Sequence, residues 1–262
     1  MEDVGRQEDS IANLGTTNAA GGPWGIWWTL LFSGVIALVY MGVSLVVALG
    51  FSGLALHQNP RLNVDEYLRV IESNGLYLSV ATIGSAIVCG AFILLFAKLR
   101  RGITVSGYLR LTPVPAAQLL KWVLLVVLFI VACDVTNLML GRAIVPKFMS
   151  EVYASAGNIP LLWFALVIAA PFFEELFFRG FLFAGLIASR LGAAWTIAIT
   201  AFVWGAIHMQ YEIVDVLAIC MFGLILGLAR VKTDSVYTPI VLHSFTNLVA
   251  TIETAMFGRT GS

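Results

Sequence analysis

Charge is what this sequence has least of. Aspartate, glutamate, lysine and arginine make up 11% of its 262 residues, against about 25% in an ordinary soluble domain. The two signs also cancel, 15 against 15. Without a positive excess there is no electrostatic footprint for a nucleic acid, and no nucleic-acid partner is expected. Cysteine is scarce too. Cys89, Cys133 and Cys220 stand singly inside apolar runs, which excludes a disulfide framework or a metal-binding cysteine spacing and leaves them as small hydrophobes in packed helices. An HExxH zinc signature, an internal repeat and a soluble second domain are all missing. The start lacks the apolar core of a signal peptide. "MEDVGRQEDSIANLGTTNAAGG" is polar, acidic and rich in Gly, Ala and Asn. It predicts a disordered polar tail over 1–22, with 23–262 as a single transmembrane domain.

What is present is apolar length. Hydrophobic residues make up 60% of the chain, and its mean hydropathy is +0.92. A membrane-spanning helix needs about 20 consecutive, mostly apolar residues. Stretches of that kind run over about 24–50, 76–97, 119–140, 158–189, 193–210, 213–229 and 237–257. The predicted fold is therefore all-α, a polytopic transmembrane bundle of about seven spans, or eight if the fourth segment splits. Pro171 lies near the middle of that segment. It lacks an N–H and crowds the carbonyl of Val167, which predicts a kink. Asn158 is the expected N-cap, with Pro160 tolerated in the first turn. Trp24, Trp27 and Trp28 suit an interfacial aromatic belt, "VDEYLRVIES" a short amphipathic helix, and Gly223 with Gly227 a close helix approach.

The basic residues set an orientation. Arg6, Lys98, Arg100, Arg101, Arg110, Lys121, Arg190, Arg230 and Lys232 fall on the side of the N-terminus, and Arg61, Arg69, Arg142, Lys147 and Arg259 on the other. This bias predicts a cytoplasmic N-terminus in a multi-pass membrane protein.

Against this background the segment "PFFEELFFRG", residues 171–180, stands out. A charge at the bilayer centre costs about 2.5–3.5 kcal/mol even on a lenient scale, yet Glu174, Glu175 and Arg179 sit together there. Glu175 and Arg179 are four apart with the carboxylate first, the better order for a helical ion pair. Glu174 is rotated by about 100° from Glu175, so one carboxylate is tied and its neighbour free. A structural polar knot is the plainer alternative. His208 near the end of the fifth span, and His243 one turn before Asn247 in the seventh, add polar groups inside the membrane. His57 reads as a solvated loop residue. Asp134 is expected in a structural hydrogen bond on the face it shares with Asn137, and Asp215 at the membrane interface.

Taken together, these residues resemble the three motifs of the CPBP family, the CAAX proteases and bacteriocin-processing enzymes also called Abi, which includes the type II CAAX prenyl endopeptidases. Glu174, Glu175 and Arg179 match Glu-Glu-x-x-x-Arg. Trp204 and His208 match Phe-x-x-x-His with tryptophan in place of phenylalanine. His243 and Asn247 match His-x-x-x-Asn. All three fall within 171–250. The resemblance implies intramembrane proteolysis. Glu174 with His208 would activate a water, His243 and Asn247 would stabilise the oxyanion, and Glu175, Arg179 and Trp204 would hold the site in shape. It also implies a peptide or membrane-protein substrate, prenylated CAAX proteins among the candidates. The compact chain suits a bacterial plasma membrane.

Raised basicity of a carboxylate among Phe172, Phe173, Phe177 and Phe178 is consistent with that chemistry. A polar cavity between the fourth, fifth and seventh segments is expected to admit water. No cofactor is required by this scheme. A zinc protease with Glu174, His208 and His243 as ligands is the nearest rival. A non-catalytic scaffold, immunity or regulatory protein is a second. A transporter, which favours inverted repeats, fits least.

Overall fold

The structure is a computed structural model and describes residues 21–258. The predicted tail over 1–22 lies outside the described residues except for Gly21 and Gly22, as do Arg6 and Arg259 of the charge count. The described residues form a bundle of helices with no strand. The long elements are α1 (Ile26–Gln58), α3 (Gly75–Leu99), α5 (Ala116–Met139), α7 (Ile159–Ile187), α9 (Ile213–Thr233) and α10 (Tyr237–Phe257), and each is long and apolar enough to cross a membrane. Between them lie α2 (Val64–Ile71), α4 (Val105–Leu109), α6 (Lys147–Ala154) and α8 (Gly192–Ala206).

Local sequence accounts for most boundaries. Asn74 caps α3 by accepting from the Tyr77 N–H at 2.9 Å. Asn158 caps α7 by accepting from Leu161 N–H at 3.1 Å, with Pro160 in the first turn. The amphipathic segment forms α2 as expected. Two of the tryptophans, Trp27 and Trp28, are exposed and fit a belt. Trp24 does not. Its indole N–H donates to the Phe96 carbonyl at 2.9 Å, and Arg100 covers its ring while donating to Gly22 O at 2.8 Å.

Membrane helices gain little from the hydrophobic effect against one another, so close packing and polar contacts hold them. The Gly223/Gly227 pair serves that end. A Cβ on Gly223 would come within 3.0 Å of the Ala201 backbone, and one on Gly227 within 3.0 Å of Ile197, so α8 and α9 lie nearly backbone to backbone. Arg142, just past α5, forks onto Asp215 at the start of α9, with Nη1 to Oδ1 at 3.2 Å and Nη2 to Oδ2 at 2.8 Å. It also reaches Glu212 at 2.9 Å and Asn137 at 2.6 Å. The Arg142 bond thus falls to Asn137, and Asp134 makes no hydrogen bond among the described residues. Asp215 is a strut between α5 and α9.

The fifth segment is shorter than its apolar run suggests. As a helix α8 has 15 residues, about 22 Å, against a hydrocarbon core of roughly 30 Å. The chain leaves the helix at Ile207 and turns through 207–212 before α9. Irregular backbone at such depth is tolerated only where protein or a cavity surrounds it. His208 lies in this turn.

Candidate active site

The fourth segment stays one continuous span, 159–187. Its helical register changes on both sides of the proline. Ala165–Ala169 and Leu176–Leu182 are π-helical, with α-helix at Ala170–Glu175 between them. Pro171 has no N–H to give, and the turn before it closes with Ala170 N–H on Ala165 O, five residues back. The expected kink is taken up as a wider turn. Such π-turns are rare and gather at functional sites. In the second stretch Phe183 N–H reaches Phe178 O, and the Arg179 carbonyl accepts from the Arg230 side chain at 3.0 Å.

Glu175 and Arg179 are fully buried. Arg179 Nη1 donates to Glu175 Oε1 at 3.0 Å and Nη2 to the Gly223 carbonyl at 3.2 Å. Its guanidinium lies 4.8 Å from the centre of the Trp204 ring. His243 Nδ1 reaches the same Glu175 Oε1 at 2.9 Å. A carboxylate accepts, so this nitrogen carries the proton, and Nε2 is the free end of the ring. Glu175 is thereby the shared partner of two cationic or donor groups on α7 and α10. Its second oxygen and Arg179 Nε have no partner among the described residues.

Glu174 is half-buried and faces elsewhere. Its Oε2 accepts from the Trp204 indole N–H at 2.7 Å. Trp204 is the hub of the arrangement. Its carbonyl holds His208 Nδ1 at 2.7 Å, which again leaves Nε2 as the outward nitrogen. Its ring meets His208 at 5.1 Å and His243 at 5.2 Å, centre to centre, both edge to face. One tryptophan therefore touches Glu174, Arg179, His208 and His243. A phenylalanine could fill the space but could not donate to Glu174.

Asn247 points away from this group. Its amide Nδ2 donates to the Leu166 carbonyl in the first π-turn at 2.8 Å. It lines a cavity of about 170 Å³ with Leu166, Tyr211 and Glu253. That cavity lies against the fourth and seventh segments and the turn after α8, but neither Glu174 nor His208 lines it. His243 and Asn247, four apart on one helix, thus serve two neighbouring places.

Two participants escaped the sequence reading. Tyr211, three residues after His208, stacks on that imidazole with centres 6.3 Å apart. Burial pushes its phenol above the usual range, and the Glu174 and Asp215 carboxylates add to the shift. Arg230 was counted as a peripheral charge, yet it is 5% exposed and grips the Arg179 carbonyl. The spacing His-x-x-Tyr could have flagged the first. Nothing local flags the second, because its partner is 51 residues away.

No group of three His, Cys, Asp or Glu side chains among the described residues is placed to hold a metal ion. Residues 156–249 match the family described as type II CAAX prenyl endopeptidase Rce1-like. An uncharacterized 24.3 kDa protein of Escherichia coli is 31% identical over 115 residues, 40% of this chain and 52% of that protein. The chain thus spans about half the length of the curated relative it matches. No solved structure matches it.

Proposed function

We propose, from the match of residues 156–249 to the Rce1-like family of type II CAAX prenyl endopeptidases, that the chain is an intramembrane endopeptidase in which Glu174 activates the attacking water. The observation that carries the reading is the division between the two glutamates. Glu175 is spent on Arg179 and His243. Glu174 is half-buried, is anchored through one oxygen by Trp204, and makes no ion pair among the described residues.

The steps follow from amide chemistry. Glu174 takes a proton from water as its oxygen bonds to the scissile carbonyl carbon. The carbonyl oxygen becomes an oxyanion. The C–N bond then breaks, and the nitrogen leaves as an amine with the proton returned through Glu174 or His208. With its Nδ1 proton fixed on a carbonyl, neutral His208 offers Nε2 as an acceptor for the water. His243 can donate from Nε2 only as the imidazolium, since its Nδ1 proton is committed to Glu175. A cation there would meet the oxyanion with a charge-assisted hydrogen bond. One amide N–H of Asn247 is held on Leu166, and its second N–H is the one that would serve the oxyanion. The substrate would be a peptide or membrane-protein segment, with prenylated CAAX proteins as the family-level candidates.

The test is Glu174→Gln, which keeps shape and removes basicity. Cleavage of a reporter peptide by the variant, purified and folded, should fall by about 100-fold or more. Near-normal turnover would refute the assignment. A scaffold would tolerate the change in its cellular effect.

One observation favours a second reading. Both histidines give Nδ1–H to an oxygen and leave Nε2 free, the arrangement that orients metal-binding imidazoles. Glu174, His208 and His243 would be the zinc ligands, but they would first have to be drawn together from their present spacing. Stoichiometric zinc in purified protein, lost in His243→Ala, would move the assignment to a metalloprotease.

A further inference from the structure

The cavity beside Asn247 has a chemistry of its own. At about 170 Å³ it is close to the size of cavities that admit one benzene ring, roughly 150 Å³. It therefore takes a single side chain and not a folded segment. One wall is apolar, from Val145, Pro146 and Met149. The other is the face of α10 that carries Asn247, Thr251, Glu253 and Thr254.

The polar groups on that wall are mostly acceptors. Asn247 gives one amide N–H to Leu166 and keeps its oxygen and its second N–H. The hydroxyls of Thr251 and Thr254 donate to Asn247 O at 2.6 Å and Ala250 O at 2.7 Å, so toward the cavity they too can only accept. The Glu253 carboxylate has no hydrogen-bond or ionic partner among the described residues. The Tyr211 hydroxyl and the second Asn247 N–H are the donors among the described side chains. The nearby cations are engaged elsewhere: Arg142 on Asp215 and Glu212, and Lys147 near Glu151. A half-buried, acceptor-rich set with a carboxylate at its end and no cation among its lining side chains complements a donor-rich, positively charged group.

We propose that this cavity is a specificity subsite for a lysine or arginine side chain of the substrate, with Glu253 as its counter-charge. The subsite rests on the endopeptidase reading, because Asn247 of the third motif and Tyr211 stacked on His208 form the wall nearest the motif residues. A basic side chain would extend its methylenes along Val145, Pro146 and Met149 and end on Glu253.

Two measurements test it separately from catalysis. The first is melting of the Glu174→Gln chain in detergent with N-acetyl-lysine methylamide or N-acetyl-norleucine methylamide. The lysine probe should raise Tm by about 2 °C or more once it exceeds its Kd several-fold. The norleucine probe should not, and Glu253→Gln should abolish the shift. Equal shifts from the two probes, or a lysine shift that survives Glu253→Gln, would overturn the proposal. The second is cleavage of a peptide library by the wild-type chain in proteoliposomes. A basic residue flanking the cut should be preferred, and Glu253→Gln should lose about 10-fold or more of that preference while cleaving uncharged peptides as before. Cleavage without a basic preference overturns the subsite and leaves the protease. A lysine-specific Tm shift with no cleavage of any peptide overturns the protease and leaves the subsite.

Discussion

Trp204 shows how much one ring changes at the residue scale. As a large aromatic in place of phenylalanine it looks conservative, and sequence alone reads it so. Among the described residues its N–H makes the sole hydrogen bond to the Glu174 carboxylate, and a bond to a charged group is worth about 1.5–3 kcal/mol. Trp204→Phe keeps the ring packing and loses that anchor. Turnover should drop by about 10-fold or more with little change in Tm, read from cleavage kinetics beside a melting curve. Arg179 should behave the opposite way. Removing one member of a fully buried pair costs about 3–5 kcal/mol, and here it also strips a partner from Gly223 O and exposes His243 to an unbalanced Glu175. Arg179→Ala should melt far below Glu174→Gln. An unchanged melting temperature with vanished activity would place Arg179 in the chemistry. The Glu175–Arg179 pair was legible because four residues along a helix fix a neighbour. The His243 contact to Glu175 was not, because 68 residues separate them and only the packing of α10 on α7 brings them together.

At the scale of elements, hydropathy found every span, since about 20 apolar residues announce a membrane helix whatever it packs against. It overshot where the helix ends early. The apolar run of the fifth segment continues past Ala206, and only tertiary contacts decide that the chain turns at Ile207. The π-turns of α7 were equally invisible. Proline predicts a lost hydrogen bond, but whether the helix bends or widens depends on what receives the freed carbonyls, and Leu166 O in the first π-turn is taken by Asn247. Glycines give the sharpest test of packing. A Cβ at Gly185 would overlap the Thr29 side chain, 2.6 Å from its Cβ, while one at Gly90 would meet nothing within 4 Å. Thr29 is fully buried and stiff at χ1, so it cannot swing aside. Gly185→Ala should destabilise by about 1–3 kcal/mol, and Gly90→Ala should be neutral or stabilising by up to about 1 kcal/mol. Thermal melting in one detergent compares them directly, and equal Tm values would contradict the close contact of α1 with α7.

At the scale of the whole molecule, the two ends of the bundle differ in charge. The end that holds Trp24 carries Lys98, Arg100, Arg101, Arg110, Arg190 and Lys232, and its one described acid, Asp234, is paired with Arg110 at 3.0 Å. The opposite end gathers Glu72, Glu151, Glu212 and Asp215, and its Arg142 is tied down by the last two. Free positive charge is therefore concentrated at the Trp24 end, the other end keeping Arg61 and Lys147 among its acids, and basic loops are retained in the cytoplasm. We accordingly expect the Trp24 end inside. The turn with His208 and the Glu253 cavity would then open toward the outer half of the membrane, and substrate would reach the site from there. Cysteine labelling decides the matter. In a chain with Cys89, Cys133 and Cys220 replaced by alanine, Gln58→Cys and Pro113→Cys place a thiol on the last residue of α1 at one end and before α5 at the other. In intact cells a membrane-impermeant maleimide should label Gln58→Cys at once and Pro113→Cys only after permeabilisation. The reverse pattern would put the basic end outside and turn the cavity, with its negative wall, toward the cytoplasm.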